Sequence, residues 1–315
     1  MSIREYPMST CQPELIRISR LEFSIGSRCT AVVLLISLCP AAFGQPDRPL
    51  DPIAAGLQPT RTLTYKQVDD IDLKMHVFEP AGHMASDRRG VFLIIHGGGW
   101  AGGNPRRGYP FADYFRERDM VAISIEYRLL QRSGTPTVFE CVKDGRSAVR
   151  YLRQHSGKLG IDPQKIVVAG CSAGGHVAAG TALFSGVDEQ SDDTAISCVP
   201  NALVLYYPVI DTSSKGYGQK KIGAAWQQIS PVHHVRANLP PTIVFHGTAD
   251  TVTPYTGAVL FRDRMEQAGN RCELVTHKDG GHGYLIFDLG LFQQATATTQ
   301  QFIDEVLKQS SEKSD

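Results

Sequence analysis

The chain reads Ile-Val-Val-Ala-Gly-Cys-Ser-Ala-Gly from Ile166 to Gly174. An apolar, partly β-branched run comes first, and a helix-forming stretch from His176 to Ala179 follows. This order predicts a strand, a sharp turn and a helix, with Ser172 at the apex of the turn. Glycines on both sides of Ser172 leave room for unusual backbone angles, and the free N–H groups of the helix favour negative charge beside it. Three fixed positions are a weak signal alone, so the neighbouring motifs must decide what the turn is for.

The N-terminal residues have the pattern of a signal peptide. A segment with several arginines precedes the apolar run Ala31–Cys39, and the small residues Ala42 and Gly44 follow at the positions that a signal peptidase reads. The run is too short for a stable membrane span. We therefore expect residues 1–44 to be a signal peptide cleaved before Gln45, and the mature protein to be secreted or periplasmic, without a membrane partner.

The composition and length of the chain limit its possible binding partners and its number of domains. The chain has 315 residues, with 32 acidic and 32 basic side chains and a formal net charge of +0. No basic stripe is present, so we expect no binding to nucleic acid. After a proline-rich segment, predicted to be a linker at 45–62, residues 63–315 suffice for a single α/β domain.

Four cysteines follow the predicted signal peptide: Cys141, Cys171, Cys198 and Cys272. In an exported protein they could form two disulfides through any of three pairings, which the sequence does not separate. Cys171 lies inside the predicted turn and is expected to be a small buried residue.

The order of apolar runs predicts the sheet. Leu63–Val68 and Ile71–Phe78 predict an antiparallel hairpin joined by a tight turn. Short apolar runs typical of strands buried on both faces follow at Val91–Ile95, Val121–Ile125, Ile166–Ala169, Ala202–Tyr206, Thr242–Phe245 and, less strongly, Glu273–Thr276. Helical stretches alternate with them at Phe111–Arg118, Val138–His155, His176–Leu183, Pro254–Ala268 and Leu285–Leu307. This alternation predicts a mostly parallel, twisted sheet with helices on both faces, linked by right-handed crossovers.

The predicted helix Val138–His155 is amphipathic. Its apolar face carries Val138, Val142, Val149 and Leu152, and its other face, expected to meet water, carries Lys143, Arg146, Arg150 and Arg153. Asp144 of this helix and Arg128 are predicted to form a buried or half-buried ion pair.

Sheets of this kind bind ligands beyond the carboxyl ends of their strands. The first parallel strand ends at His96-Gly97-Gly98-Gly99-Trp100, where consecutive glycines let backbone N–H groups approach a developing oxyanion. A phosphate-binding loop would need a Lys-Ser or Lys-Thr pair that is missing here. At the Ser172 turn, the N–H of Ala173 is a second candidate donor.

Two further strand exits carry a carboxylate and an imidazole. Thr242–Phe245 leads to Asp250, and the last strand leads to His282, which stands among glycines. A serine hydroxyl is a weak nucleophile until an imidazole takes its proton, and a carboxylate holds that imidazole in one tautomer. Ser172, Asp250 and His282 are therefore predicted to be nucleophile, orienting carboxylate and base.

Some residues compete with this assignment. Asp211 follows another strand and is the alternative carboxylate, whereas His246 and His277 are expected to be structural. Asp250 could instead cap the following helix, and His282 could be a polar turn residue.

Jointly, these motifs resemble the α/β-hydrolase superfamily, and more narrowly its esterase and lipase branch related to hormone-sensitive lipase and bacterial carboxylesterases. The resemblance covers most of the chain from Val91 onward, at His96–Trp100, Tyr127–Leu129, Asp162–Pro163, Gly170–Gly175, His246–Asp250 and Gly281–Gly283. It implies an α/β-hydrolase catalytic domain at 63–315 and a serine esterase that works through an acyl-enzyme.

The resemblance also implies individual roles. It gives Ser172, Asp250 and His282 the parts stated above, and it makes backbone N–H groups the oxyanion donors, at Gly98, Gly99 and Ala173. Trp100, directly after the glycines, is the candidate substrate-binding residue.

The chain departs from that branch before His96, where a hairpin replaces a long helical cap, so we expect a small cap or none. Export and the sequence Asp-Gly-Gly-His-Gly-Tyr at Asp279–Tyr284 are similar to bacterial acetyl xylan and feruloyl esterases. The expected substrate is therefore a small-molecule ester or an acylated carbohydrate from plants or algae. No cofactor or metal is expected, and the pair His233–His234 is predicted to lie in a surface loop.

Other functions fit the same motifs. An arylformamidase or a small serine peptidase would use the same three side chains, and a non-catalytic binding protein could keep the scaffold. The acyl chain, the alcohol and the oligomeric state do not follow from the sequence.

Overall fold

The structure is a computed structural model that describes residues 47–131 and 135–312. Its strands in this part of the chain are β1 (Arg61–Val68), β2 (Ile71–Phe78), β3 (Arg89–Ile95), β4 (Val121–Ile125), β5 (Ile161–Cys171), β6 (Ala202–Tyr206), β7 (Thr242–Gly247) and β8 (Cys272–His277). They form one sheet in the order β1-β2-β4-β3-β5-β6-β7-β8. Strands β3 to β8 run parallel, while β1 and β2 form the predicted antiparallel hairpin, which pairs with β4.

Helices cover both faces of the sheet. Those in the described residues are α1 (Leu50–Gly56), α2 (Tyr109–Arg116), α3 (Val138–Gln154), α4 (Ser156–Leu159), α5 (Ala173–Leu183), α6 (Gln219–Ile222), α7 (Tyr255–Gln267) and α8 (Leu289–Glu312). Leu93 and Ile95 of β3 belong to the core shared with α3, α5 and α7, whereas Phe92 and Ile94 belong to the core shared with α2 and α8. Because both faces are buried, the apolar runs are continuous. The predicted parallel sheet with helices on both faces is confirmed.

The N-terminal part of the described chain differs from the prediction. Helix α1 lies within the segment predicted to be a linker, and β1 begins at Arg61 rather than Leu63. Leu50 and Ala54 of α1 are buried. The prolines did not prevent a helix because Pro49 and Pro52 lie at its start and in its first turn, where a proline removes no helical hydrogen bond.

The predicted signal peptide at 1–44 lies outside the described residues. Among the residues that the structure describes, no helix is long and apolar enough to cross a membrane.

Helix α3 corrects the prediction that its arginines meet water. Arg146 and Arg150 are only 5% and 6% exposed. Asp188 accepts from both guanidinium groups, at 2.8 Å and 2.6 Å. The helical period identified the apolar face of α3 correctly. It could not predict that Asp188, about forty residues later in the chain, would lie against the other face and pair with the two arginines.

The predicted ion pair between Arg128 and Asp144 is confirmed. Arg128 Nη2 lies 2.7 Å from Asp144 Oδ1, and the Asp144 side chain has no exposed surface. Lys66 Nζ contacts the same oxygen at 2.7 Å. A buried carboxylate with two cationic partners ties the hairpin to α3.

Candidate active site

Ser172 lies at the predicted sharp turn between β5 and α5. Its backbone angles are φ 53° and ψ −118°, a conformation that costs about 1–3 kcal/mol and persists where the surroundings enforce it. The flanking glycines are sterically required. A Cβ on Gly170 would lie 2.2 Å from the Gly174 carbonyl oxygen, and one on Gly174 would lie 2.1 Å from that of Ile95.

The three predicted catalytic side chains meet above the carboxyl ends of β5, β7 and β8. Ser172 Oγ lies 2.8 Å from His282 Nε2. His282 Nδ1 lies 2.8 Å from Asp250 Oδ2. The His282 side chain is 22% exposed, whereas that of Asp250 is fully buried. The arrangement forms a continuous hydrogen-bonded path from hydroxyl to imidazole to carboxylate.

Asp250 contacts His282 and also caps a turn, but it does not cap helix α7 as the alternative predicted, because the N-cap residue of α7 is Pro254 and has no side-chain cap. Its Oδ1 caps the following turn, accepting from the N–H groups of Val252 at 2.9 Å and Thr253 at 2.8 Å. Its Oδ2 accepts from the Thr253 hydroxyl at 2.9 Å and is the oxygen that faces His282. The capping bonds fix the carboxylate so that one oxygen remains for the imidazole.

Electrostatics keep this carboxylate ionised. Burial alone would raise the pKa of Asp250, but two nearby imidazoles and a hydrogen bond from the Thr253 N–H hold it well below its usual range. These imidazoles belong to His282 and to His246, whose Nε2 lies 3.4 Å from Asp250 Oδ2. An ionised Asp250 favours the proton on His282 Nδ1, which leaves Nε2 free to accept from Ser172.

The alternative carboxylate, Asp211, lies elsewhere. Its oxygens accept from the backbone N–H and the hydroxyl of Ser213, at 2.8 Å and 2.9 Å. His246 is 1% exposed and donates from Nε2 to the Thr253 carbonyl at 2.7 Å, as expected for a structural histidine. Sequence reasoning missed Thr253, whose hydroxyl contacts both Asp250 and His282. No motif distinguishes this threonine from its neighbours.

The predicted oxyanion donors lie in the cavity of the nucleophile or next to it in the chain. Gly98 and Gly99 line the cavity that contains Ser172, with φ of 136° and 61°. Within the described residues, their N–H groups have no hydrogen-bond acceptor. Ala173 is the first residue of α5, so its N–H has no partner inside the helix. Their role in catalysis remains a prediction.

The cavity has a volume of about 370 Å³. One part is polar and contains Ser172, His282 and the residues Gly97–Gly99, called the glycine loop below. The remaining wall is largely apolar and includes Leu50, Ala54, Ile94, Pro110, Phe111, Tyr207, Val252, Ile286 and Phe287. Helix α1, in the segment predicted to be a linker, therefore forms part of the site.

Trp100 does not lie on the cavity wall. Its side chain is fully buried, and its ring lies 5.1 Å from that of His176 and 5.5 Å from that of Tyr217. The backbone explains the difference from the prediction, because Trp100 has a φ of 62° and its indole packs within the core. The structure thus gives the predicted substrate-binding residue a place in the core.

The four cysteines within the described residues, Cys141, Cys171, Cys198 and Cys272, form no disulfide. Cys171, expected to be buried, is half-buried and lines the cavity beside Ser172. Burial raises the pKa of its thiol to about 12. The thiol therefore stays protonated and does not compete with the serine as a nucleophile.

No group of three metal-ligating side chains occurs within residues 47–131 and 135–312. His233 is exposed and contacts the Ser230 hydroxyl at 2.8 Å, but it ends the short 3-10 helix Pro231–His233 rather than lying in a loop, and His234 is half-buried.

Two buried histidines make stability depend on pH. Burial lowers the pKa of His96 and of His176 from 6.5 to about 4. Between these pH values the unfolded chain binds protons that the folded chain does not, so the stabilisation present above pH 6.5 is lost as the pH falls towards 4. For each histidine, the free energy of unfolding should decrease by about 1.4 kcal/mol for every unit by which the pH falls within this window.

Urea unfolding at several pH values checks this expectation. In His176→Gln, whose amide can still donate to the Ile229 carbonyl that His176 Nε2 contacts at 2.6 Å, the decline should be shallower than in the wild type. Above pH 6.5 the two proteins should show the same slope, which is the internal control. Equal slopes below that pH would contradict the argument.

Comparisons with known proteins agree with this architecture. The BD-FAE family model matches residues 75–265. The apo form of esterase 2 from Thermogutta terrifontis is 40% identical, with a TM-score of 0.74, and the alignment covers 78% of this chain and 94% of that one.

Curated relatives are more distant. Esterase LipC from Mycobacterium tuberculosis is 27% identical over 63% of this chain and 54% of its own length. The acetylxylan esterase of Xylanibacter ruminicola is 25% identical over 72% of this chain and 47% of its own length. The chain thus spans about half the length of these curated relatives. Because the family model covers more than half of the chain, and the fold is that of the Thermogutta esterase, the chain belongs to the BD-FAE family and has an α/β-hydrolase fold.

Proposed function

We propose that the protein is a serine carboxylesterase that hydrolyses short-chain esters through an acyl-enzyme. The observation that carries this proposal is the path from Ser172 Oγ to His282 to Asp250, with 2.8 Å at each step, in a cavity that also contains unpaired N–H groups. The relatives reported above are named esterases, which supports the same reaction class.

The first half of the reaction acylates the enzyme. His282 Nε2 takes the Ser172 proton as Oγ attacks the ester carbonyl carbon. The carbonyl oxygen gains negative charge and accepts from the N–H groups of Gly98, Gly99 and Ala173. As the C–O bond to the alcohol breaks, the imidazolium returns its proton to the leaving oxygen.

The second half releases the acid. His282 takes a proton from water as the water attacks the acyl carbonyl, and the same N–H groups stabilise the second oxyanion. Collapse of this intermediate breaks the bond to Ser172 Oγ, which regains its proton from the imidazolium. Asp250 stabilises the imidazolium in both halves.

We further propose that the acyl group is short and the natural alcohol a plant or algal polysaccharide. A largely apolar cavity of about 370 Å³ suits a short acyl chain. Structures of the Thermogutta esterase are described with propionate bound and with butyrate bound. The acetylxylan esterase relative supports an acylated polysaccharide. Secretion or transport to the periplasm, proposed from residues 1–44, would bring the enzyme to such a substrate.

A substrate panel tests these proposals. We expect kcat/KM on 4-nitrophenyl esters to be highest from acetate to butyrate and to fall for decanoate, and we expect acetate or ferulate to be released from acetylated xylan or feruloylated sugar. The matching aryl amide separates an esterase from an arylformamidase or a peptidase. Hydrolysis of aryl esters without release from either carbohydrate would discard the polysaccharide proposal alone, whereas no hydrolysis of any ester would discard the esterase.

A further inference from the structure

The glycine loop at the active site has an unusual backbone. Three consecutive residues, Gly98, Gly99 and Trp100, have φ of 136°, 61° and 62°. Glycine adopts such values easily, but a tryptophan in the left-handed region is strained by about 1–3 kcal/mol. Such a conformation persists only where the surrounding structure holds it. The contacts that hold this loop are therefore candidates for a role in catalysis.

One of these contacts comes from the segment between β6 and β7. Lys221 Nζ donates to the Gly99 carbonyl oxygen at 3.1 Å and to the Tyr217 hydroxyl at 2.7 Å. The same ammonium lies 5.0 Å from the centre of the Tyr217 ring and 6.0 Å from that of Trp100. Gly218 lets the indole approach, because a Cβ there would lie 2.6 Å from the Trp100 ring.

The Tyr217 hydroxyl lies directly over the loop. A Cβ on Gly99 would be 2.7 Å from this oxygen, and Tyr217 lines the same cavity as Ser172. Since the ammonium of Lys221 has no acceptor capacity, it donates, and the phenolic proton is left for another acceptor. Within the described residues, that proton has none. A free O–H donor thus lies close to the Gly99 Cα, in the wall of the cavity that contains Ser172.

We propose that Tyr217 is a further oxyanion donor and that Lys221 is a positioning residue for it. As the ester carbonyl gains charge, the Tyr217 hydroxyl donates to it alongside the backbone N–H groups. Lys221 acts by holding both the phenol and the Gly99 peptide in place. This inference rests on the proposed esterase function, because an oxyanion forms only if Ser172 attacks a carbonyl.

Tyr217→Phe is the direct test, since it removes only the hydroxyl. We expect kcat on 4-nitrophenyl butyrate to fall by about 100-fold, the size of effect known for single oxyanion donors, with little change in KM. Lys221→Met should also lower kcat, and Lys221→Arg should restore part of the loss because a guanidinium can still donate to both oxygens. The two effects should not add in the double variant, because both act through the same hydroxyl.

Lys220→Met is the matched control, since Lys220 is an exposed neighbour in α6, and it should behave as the wild type. Thermal unfolding of each variant separates catalytic from structural losses. If Tyr217→Phe keeps its kcat while Ser172→Ala is inactive, the inference is wrong and the esterase stands. A change in KM alone would also overturn it, and a wild type without esterase activity would remove both.

Discussion

Ser172→Ala is expected to lower kcat on a short-chain aryl ester by about 10⁴- to 10⁶-fold, as loss of a triad nucleophile does in other serine hydrolases. The reason is chemical, because alanine offers no atom to form the acyl-enzyme. The residual rate would come from the oxyanion donors and from binding alone. Since Ser172 accepts and donates backbone hydrogen bonds that alanine keeps, the fold should persist.

The measurement combines steady-state kinetics with covalent labelling. The Thermogutta esterase is described as phosphorylated by paraoxon, so intact mass after paraoxon treatment should reveal one added group on the wild type and none on Ser172→Ala. Ser214→Ala, at an exposed position, is the matched control and should remain active and label normally. Retention of most activity by Ser172→Ala, with a normal thermal transition, would reject the proposed nucleophile.

The arrangement of the triad could be predicted because each member lies in a local motif at the end of a strand. Ser172, Asp250 and His282 follow β5, β7 and β8, which are parallel. Parallel strands that lie side by side put their carboxyl ends on the same edge of the sheet, so residues 110 and 32 positions apart in the chain meet there. Local patterns and one topological rule were sufficient.

What could not be predicted depends on side-chain direction and on distant partners. An aromatic residue next to a glycine loop is expected at the cavity, but the left-handed backbone of Trp100 directs its ring into the core. Arg146 is buried because Asp188, far along the chain, neutralises it. Tyr217 lies in a segment without periodicity, so no sequence pattern placed it over Gly99.

Asp250→Asn is expected to lower kcat by about 10⁴-fold, although the side chain keeps its shape. Two backbone N–H groups, those of Val252 and Thr253, donate to Oδ1 and therefore keep an oxygen at that position. The amide nitrogen then replaces Oδ2 and donates to His282 Nδ1. This forces the imidazole proton onto Nε2, so the ring presents a donor to Ser172 and cannot take its proton.

Asp211→Asn is the matched control, because Asp211 also follows a strand and accepts from a nearby N–H, yet bonds to Ser213 rather than to His282. It should keep kcat within about threefold of the wild type, the scale of substitutions that do not touch the reacting groups. Urea unfolding of both variants detects any loss of fold. A severe defect in Asp211→Asn with a mild one in Asp250→Asn would reverse the assignment of the carboxylate. Equal and mild defects would mean that neither carboxylate is needed to hold the imidazole in its tautomer. The Thr253 hydroxyl, 3.2 Å from His282 Nδ1, would then be the remaining contact that could hold it.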